Sequence, residues 1–150
     1  MAAINTRNVH RSNWLMDQPY GADFVYDEMM LTGPGEAGEA GAKAVAAMNA
    51  AMGAEGGPKP GEGPSKDERE AGFYDVLFVA IADDGRQVRA SVKGDKDPGY
   101  GSTSKMIAQT ALCLIDTPDV AGGIWTPGAA LRGKLVERLG NRAGLTFAVE

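Results

Sequence analysis

The sequence FYDVLFVAIADDGRQVRASVK, residues 73–93, decides the fold. Residues 73–82 are a near-continuous apolar run, which is typical of a strand buried on both faces in the middle of a sheet. Residues 83–85, Asp-Asp-Gly, are a turn signal, and residues 86–93 alternate between apolar and polar side chains. This pattern predicts an antiparallel hairpin at the centre of the fold. It places Val88, Ala90 and Val92 inward and Gln87, Arg89, Ser91 and Lys93 outward.

A glycine-rich turn, residues 94–101, follows the hairpin and opens a helix. Glycine lacks a Cβ, so the backbone of such a turn can approach a neighbouring group closely. Apolar residues then recur at three- and four-residue spacing, which predicts one buried helix face. This face comprises Met106, Ile107, Ala111, Leu114 and Ile115. Free amides at a helix start attract anions, so we expect a ligand to bind near this turn.

The turn resembles two phosphate-binding motifs but satisfies neither. A Walker loop needs Gly-Lys-Ser/Thr, whereas here Ser104 precedes Lys105. In a dinucleotide fingerprint Gly99 and Gly101 would be the first two glycines, but Ser104 holds the third place. These departures favour a core helix that follows a turn.

Upstream of the hairpin the chain alternates between helix, strand and loop signals. Alternating side chains favour a strand, three- and four-residue spacing favours a helix, and dense glycine and proline favour a loop. The sequence therefore predicts a helix over residues 3–16, a strand over 22–31, a helix over 38–52 and a flexible loop over 53–64. Ser65 and Glu68 form a capping-box pattern that starts a short helix ending near Gly72.

Downstream of the glycine turn, Thr126-Pro127 predicts the start of another helix. Its buried stripe is Leu131, Leu135 and Leu139. Gly140 is expected to end the helix as a left-handed cap, and residues 145–149 alternate as a closing strand. The whole order predicts one α+β domain over residues 1–150, a single mixed, largely antiparallel sheet covered by helices.

Composition excludes several classes of function. The net charge of −5 argues against nucleic acid as a partner. No run of 18 apolar residues and no secretory signal is present, so we expect a cytoplasmic protein without a membrane span. One cysteine, Cys113, excludes an internal disulfide and a cysteine zinc cluster. One histidine, His10, disfavours a histidine metal site or a serine triad, and we predict no metal site.

Five stretches together resemble a known family. They are INTRNVHRSNWLM (4–16), YGADFVYDEMM (20–30), GPSKDEREAGFYDVLFVAIADDG (63–85), VRASVKGDKDPGYGSTSKMIAQTALCL (88–114) and GGIWTPGAALRGKLVERLGNRAGLTFAV (122–149). The chain resembles the C-terminal part of saccharopine dehydrogenase-like oxidoreductases, a group that includes the trans-acting enoyl reductases. DPGYGSTSKM and the downstream GG-x-x-TP are the more specific motifs.

This resemblance implies a two-part enzyme. An N-terminal Rossmann domain would hold NAD(P), and the second domain would supply the substrate wall and a homodimer contact. The chain has no GxGxxG between a strand and a helix, so we expect no Rossmann domain here. The resemblance therefore implies a substrate-binding and dimerisation domain that is not catalytic alone, with a small-molecule substrate and the Rossmann domain of the parent chain as partners.

Six polar side chains are candidates for substrate binding. An arginine or a lysine can hold a carboxylate, and a tyrosine can donate a proton. The candidates are Arg11 and Ser12 on the first helix, Tyr26 on the predicted strand, and Tyr100, Thr103 and Lys105 at the glycine turn. Each also has a structural interpretation, such as a surface ion pair for Arg11. No catalytic residue is assigned, and no residue of this chain is expected to bind the cofactor.

Two alternatives to the dehydrogenase domain stay open at this level. One is a freestanding α+β module that binds a small anionic ligand at the glycine turn, in which case Lys105→Ala would abolish ligand binding without loss of fold. The other is a structural protein that pairs with other proteins through its sheet.

Overall fold

The computed structural model describes residues 2–51 and 62–150. Its elements are α1 (Ala2–Leu15), α2 (Gly35–Ala51), α3 (Lys66–Ala71), β1 (Tyr74–Ile81), β2 (Gln87–Gly94), α4 (Gly101–Ile115), α5 (Pro127–Arg142) and β3 (Leu145–Val149). The predicted α+β class is confirmed, and no Rossmann domain is evident in the described ranges. The last residue of the predicted 38–52 helix and most of the predicted 53–64 loop, up to residue 61, lie outside the described residues.

Among the described residues the sheet has three strands in the order β1-β2-β3, and both pairings are antiparallel. The sheet is therefore not mixed. The apolar run predicted for the middle of the sheet forms β1 at its edge, and β2 is the central strand. Seven of the eight β1 residues are exposed. The apolar run predicts a strand whose side chains pack against other elements, but no described element of this chain buries them.

The predicted alternation of β2 is only partly matched by burial. Val92 packs against the core, whereas Val88 near the hairpin turn is exposed. Ser91, predicted to face solvent, is buried, because it lies on the central strand between Leu77 of β1 and Ala148 of β3. A neighbour on each side removes most of the accessible surface of so small a side chain.

The core lies where α4 and α5 pack on the β3 end of the sheet. The predicted stripe of Leu131, Leu135 and Leu139 is buried there, together with Leu145 and Cys113. This arrangement confirms the predicted face of α5, and it places the single cysteine in the core.

The predicted end of α5 at Gly140 is wrong. Helical bonding continues, because the Ala143 amide donates to the Leu139 carbonyl at 2.9 Å. The residue with left-handed backbone is Gly144, whose φ is 74°. Gly140 instead lies on the helix face that turns towards β3. The extra turn carries Ala143 into the core.

The predicted buried face of α4 is wrong except at Met106. The buried residues of this helix are Ser102 and Cys113, with Met106 packed against the core between them. Ile107 and Ile115, both predicted to be buried, are 69% and 73% exposed. The helix is apolar on two sides, and α5 and the sheet lie against only one of them.

The strand predicted over residues 22–31 is not formed. The segment begins in a turn, has no assigned helix or strand, and makes no backbone hydrogen bond to any other described residue. Several of its large side chains are exposed, among them Val25, Met29 and Leu31. Side-chain alternation gives a strand only where a neighbouring strand accepts its hydrogen bonds, and the described sheet offers this segment none.

Candidate functional site

The glycine turn is organised around one carboxylate that sequence reasoning did not single out, Asp97. Its side-chain oxygens accept hydrogen bonds from the amides of Gly99, Tyr100 and Gly101, and its carbonyl accepts from the Ser102 amide. These are the amides expected to attract an anionic ligand. Because the carboxylate of Asp97 already occupies them, an external anion would have to displace it.

These hydrogen bonds also act on the carboxylate itself. The Gly101 amide, followed by those of Tyr100 and Gly99, holds the pKa of Asp97 below its ordinary value. The amides stabilise the charged form, so Asp97 is ionised at neutral pH and serves as an internal cap for α4.

Two glycines of this region lie so close to neighbouring residues that a side chain would not fit. A Cβ on Gly94 would overlap the ring of Tyr74, whose hydroxyl lies 2.9 Å from the fully buried Ser102 hydroxyl. A Cβ on Gly72, at the end of α3, would come within 2.6 Å of the Asp97 backbone. Glycine thus lets β2, α3 and the start of α4 pack tightly together, as expected of a glycine-rich turn.

The three candidates at the glycine turn all contact nearby residues. The Lys105 ammonium lies 2.6 Å from the Asp95 carboxylate, and this bond lowers the pKa of Asp95. The Thr103 hydroxyl donates to the Pro98 carbonyl, and the Tyr100 hydroxyl donates to the Glu62 carbonyl at 3.3 Å. In this conformation the three side chains brace the turn, which is compatible with their structural interpretation.

Arg11 and Ser12 meet the loop that precedes α5. The Arg11 guanidinium donates to the Ile124 carbonyl at 2.9 Å, and the Ser12 and Thr126 hydroxyls lie 2.7 Å apart. The predicted helix cap Thr126 makes no side-chain cap hydrogen bond. Its hydroxyl bonds to Ser12 instead, which fastens α1 to the start of α5.

The neighbouring residue Asn13 shapes the chain after α1. It is buried, donates to the Gly21 carbonyl at 2.8 Å and accepts from the Tyr20 amide at 3.0 Å. The turn over residues 16–21 therefore folds back onto the helix end. Arg11 stays exposed beside it and forms no ion pair with any residue in the described ranges. Its remaining guanidinium donors can reach a ligand.

Tyr26 makes a local hydrogen bond within its own segment. Its hydroxyl donates to the Glu28 carboxylate at 2.8 Å. Burial, this hydrogen bond and the charge of Glu28 together raise the pKa of Tyr26 to about 12. A tyrosine held in this way is a weak acid, so its present geometry disfavours proton donation at neutral pH.

The six candidates therefore fall into three places. Arg11 and Ser12 lie at the junction of α1 with the loop before α5, Tyr26 lies in the segment 22–31, and the other three surround the glycine turn. The ring contact between His10 and Phe24 brings α1 close to the segment of Tyr26. The hydrogen bonds that the six side chains form with described residues do not join one place to another. Two open clefts, of about 630 and 560 Å³, lie elsewhere, one between α4 and α5 and one beside the loop before α5. None of the six lines either cleft.

Sequence reasoning missed the bridge across the larger cleft. Arg138 of α5 donates to the Gln109 side chain at 2.9 Å and to the Asp116 carboxylate at 2.6 Å. It therefore fastens the end of α4 to α5. The sequence carried no signal for this pair, because the partners are 22 and 29 residues apart. Asp97 did carry a signal, since Asp-Pro-Gly is a typical turn start.

The described residues do not fit NAD(P). A dinucleotide loop joins a parallel strand to a helix whose amides face the pyrophosphate. Here the sheet is antiparallel, and the amides at the start of α4 are bound by the Asp97 carboxylate. We therefore derive no chemical step through this cofactor on this chain.

Metal binding finds no support within residues 2–51 and 62–150. These ranges contain no group of three histidine, cysteine or acidic side chains able to hold a metal ion. His10 packs its ring against Phe24, with centroids 5.6 Å apart. Among the same residues, no helix has the length and apolar character that a membrane span requires.

These features define a class of protein, an α+β domain without a dinucleotide-binding unit in its described part and with a polar junction at the end of α1. The chain is 34% identical to a Mycobacterium tuberculosis protein provisionally named a trans-acting enoyl reductase, over 93% of this chain and 38% of that protein. It is also 34% identical to the trans-acting enoyl reductase of Mycobacterium bovis and 32% identical to that of Mycobacterium ulcerans.

The chain thus spans well under half the length of these curated relatives. The similarity to these proteins extends over more than nine-tenths of this chain. No protein-family profile matches the chain. No solved structure matches it either.

Proposed function

We propose that this chain is the substrate-binding and dimerisation domain of a cytoplasmic, NAD(P)-dependent, saccharopine dehydrogenase-like oxidoreductase that acts on enoyl substrates. A Rossmann domain outside these 150 residues would hold the cofactor. The observation that carries the proposal is the extent of the similarity. It covers nearly all of this chain but only 38% of the length of a trans-acting enoyl reductase.

The surface of the domain supports the proposal that further protein covers it. Ile107 and Ile115 on α4 and most of β1 are apolar and exposed. Apolar patches of this kind mark contacts with other protein surfaces. The outer face of α4 is a suitable place for a second domain.

Substrate recognition is proposed at the junction of α1 with the loop before α5. Arg11 is the exposed cation there, and the hydroxyl pair of Ser12 with Thr126 lies beside it. A guanidinium offers several donors to a carboxylate, a phosphate or a thioester carbonyl. Lys105 and Tyr100 are weaker candidates, because a substrate would have to replace their contacts with Asp95 and Glu62.

A chimera tests the proposal. This chain replaces the matching segment of the Mycobacterium tuberculosis relative, and the oxidation of NADPH and NADH is followed with an enoyl thioester. We expect the chain alone neither to bind dinucleotide nor to oxidise it, and the chimera to do both. Tight binding of NADPH by the isolated chain would contradict the proposal, as would a chimera that binds dinucleotide but never reduces the thioester.

The role of Arg11 is tested in the same chimera. Arg11→Ala is expected to raise KM by roughly tenfold, the loss expected for one charge-assisted hydrogen bond, while dinucleotide affinity stays unchanged. The matched control is Arg7→Ala, an exposed arginine on the same helix. Equal effects of the two substitutions would remove Arg11 from the substrate site.

A further inference from the structure

The outer edge of β1 lacks the features that normally protect a sheet edge. The strand Tyr74–Ile81 is eight residues long and pairs only with β2 among the described strands. Natural edge strands are usually short or carry lysine, proline or a bulge that discourages pairing. YDVLFVAI contains neither lysine nor proline, and its register with β2 is regular from end to end. Such an edge is suited to pairing with another strand.

Both faces of β1 are apolar and accessible. Leu77, Val79 and Ile81 lie on one face and Val76 and Phe78 on the other. Leu77 is 42% exposed and Phe78 45% exposed. The only charge, Asp75, is paired with Lys93 of β2 at 2.8 Å. A strand added at this edge would therefore meet apolar side chains and a carboxylate that is already neutralised.

The strand is complementary to itself. A twofold axis perpendicular to a sheet keeps the two faces apart, so residues that stand opposite each other must share a face. If Phe78 stands opposite its own copy, Val76 stands opposite Ala80 and Leu77 opposite Val79. Asp75 then faces Ile81 of the second copy, and no like charges meet.

We propose that two copies of this chain pair antiparallel through their β1 edges and form one six-stranded sheet centred on Phe78. The pairing is isologous and therefore closed. The sheet would end at β3, a strand of five residues, on each side. The inference rests on the dimerisation part of the proposed function, and it is independent of the oxidoreductase part.

The mass of the 150-residue protein in solution is the first test. Light scattering should give twice 15.6 kDa. Leu77→Lys should raise the dimer dissociation constant roughly tenfold or more, because it places a charged side chain against the apolar Val79 of the second copy. The matched control is Ile107→Lys on the exposed face of α4, which should leave the dimer intact. A monomeric wild-type protein overturns the proposal, and so does a dimer that tolerates Leu77→Lys.

Cross-linking tests the register without relying on a destabilising variant. The Cα atoms of opposed residues in antiparallel strands lie about 4.5–5.5 Å apart, a separation that a disulfide can bridge. Phe78→Cys should therefore form a covalent dimer under mild oxidation. Ile81→Cys is more exposed, at 68%, but its two copies would be six residues apart along the strands, so it should not cross-link. Faster cross-linking at position 81 than at position 78 overturns the interface. Dinucleotide binding by the chimera tests the oxidoreductase part separately.

Discussion

Gly94 is the residue whose lack of a side chain matters most for the packing around the glycine turn. A Cβ there would overlap the Tyr74 ring, and Tyr74 cannot move freely because its hydroxyl bonds to buried Ser102. We predict that Gly94→Ala lowers the free energy of unfolding by about 1–3 kcal/mol, the usual cost of overpacking. Chemical denaturation measures this change.

The matched control for Gly94 is Gly128 in the first turn of α5. No atom lies within 4 Å of a Cβ at that position. Gly128→Ala should therefore stabilise the protein slightly, since alanine restricts the unfolded chain more than glycine. If both substitutions destabilise equally, close packing at Gly94 is not the cause.

Asp97 gives a prediction about pH. Its pKa is lowered in the folded state, so it binds a proton more readily when unfolded. Its contribution to stability is then fully present above the unfolded pKa of about 3.9 and is lost as the pH falls through the lower folded pKa. Asp97→Asn should lower the midpoint of thermal unfolding at neutral pH, and the difference from wild type should shrink in acid.

Asp83→Asn is the control for Asp97. Asp83 is an exposed residue of the hairpin turn and contributes no backbone cap. Its substitution should leave the thermal midpoint and its pH dependence nearly unchanged. A pH dependence of the Asp97→Asn protein that matches wild type would show that the cap does not titrate.

The residue scale also shows what the sequence can and cannot predict. Ser65 and Glu68 form the capping box that their spacing predicts, because both partners lie within four residues. Thr126 follows the cap pattern as well, but its hydroxyl bonds to Ser12, 114 residues away. A local sequence pattern predicts hydrogen bonds between nearby residues. It cannot exclude that the same side chain bonds instead to a residue far away in the sequence.

At the scale of elements, α5 holds the core together. Leu135 is 9% exposed, whereas its neighbour Val136 is 46% exposed on the same helix. We predict that Leu135→Ala costs about 2–5 kcal/mol of stability, the sum of lost burial and the cavity left behind. Val136→Ala, the matched control, should change stability far less. Denaturant titration of both variants measures the difference.

The elements themselves were largely predictable, but their covered faces were not. Five helices and the hairpin follow from periodicity and from glycine and proline signals. The predicted buried face of α4 includes Met106, which packs against the core, but also Ile107 and Ile115, which are exposed. The buried residues of the helix are Ser102 and Cys113. An amphipathic pattern shows that some face is apolar, and only the neighbouring elements decide which face is covered.

At the scale of the whole molecule, the same limit explains β1 and the candidate site. The apolar run of residues 73–82 predicted a central strand, and the described chain leaves it at an edge. The candidates near the glycine turn and those on α1 lie in different places, and their hydrogen bonds with described residues do not join the two groups. Distances between elements depend on packing that a single sequence does not encode in any local pattern.

Hydrogen exchange across the chain tests this view of the whole molecule. Amides of β2 are bonded to strands on both sides, so they should exchange slowly. Residues 22–31 have no backbone bond within the described ranges, so they should exchange at close to the unfolded rate. Slow exchange over residues 22–31 would mean that this segment pairs as a strand after all. The outward amides of β1 should become protected as protein concentration rises, and Leu77→Lys should abolish this protection, because no described strand of the same chain bonds them and the proposed partner strand is that of a second copy.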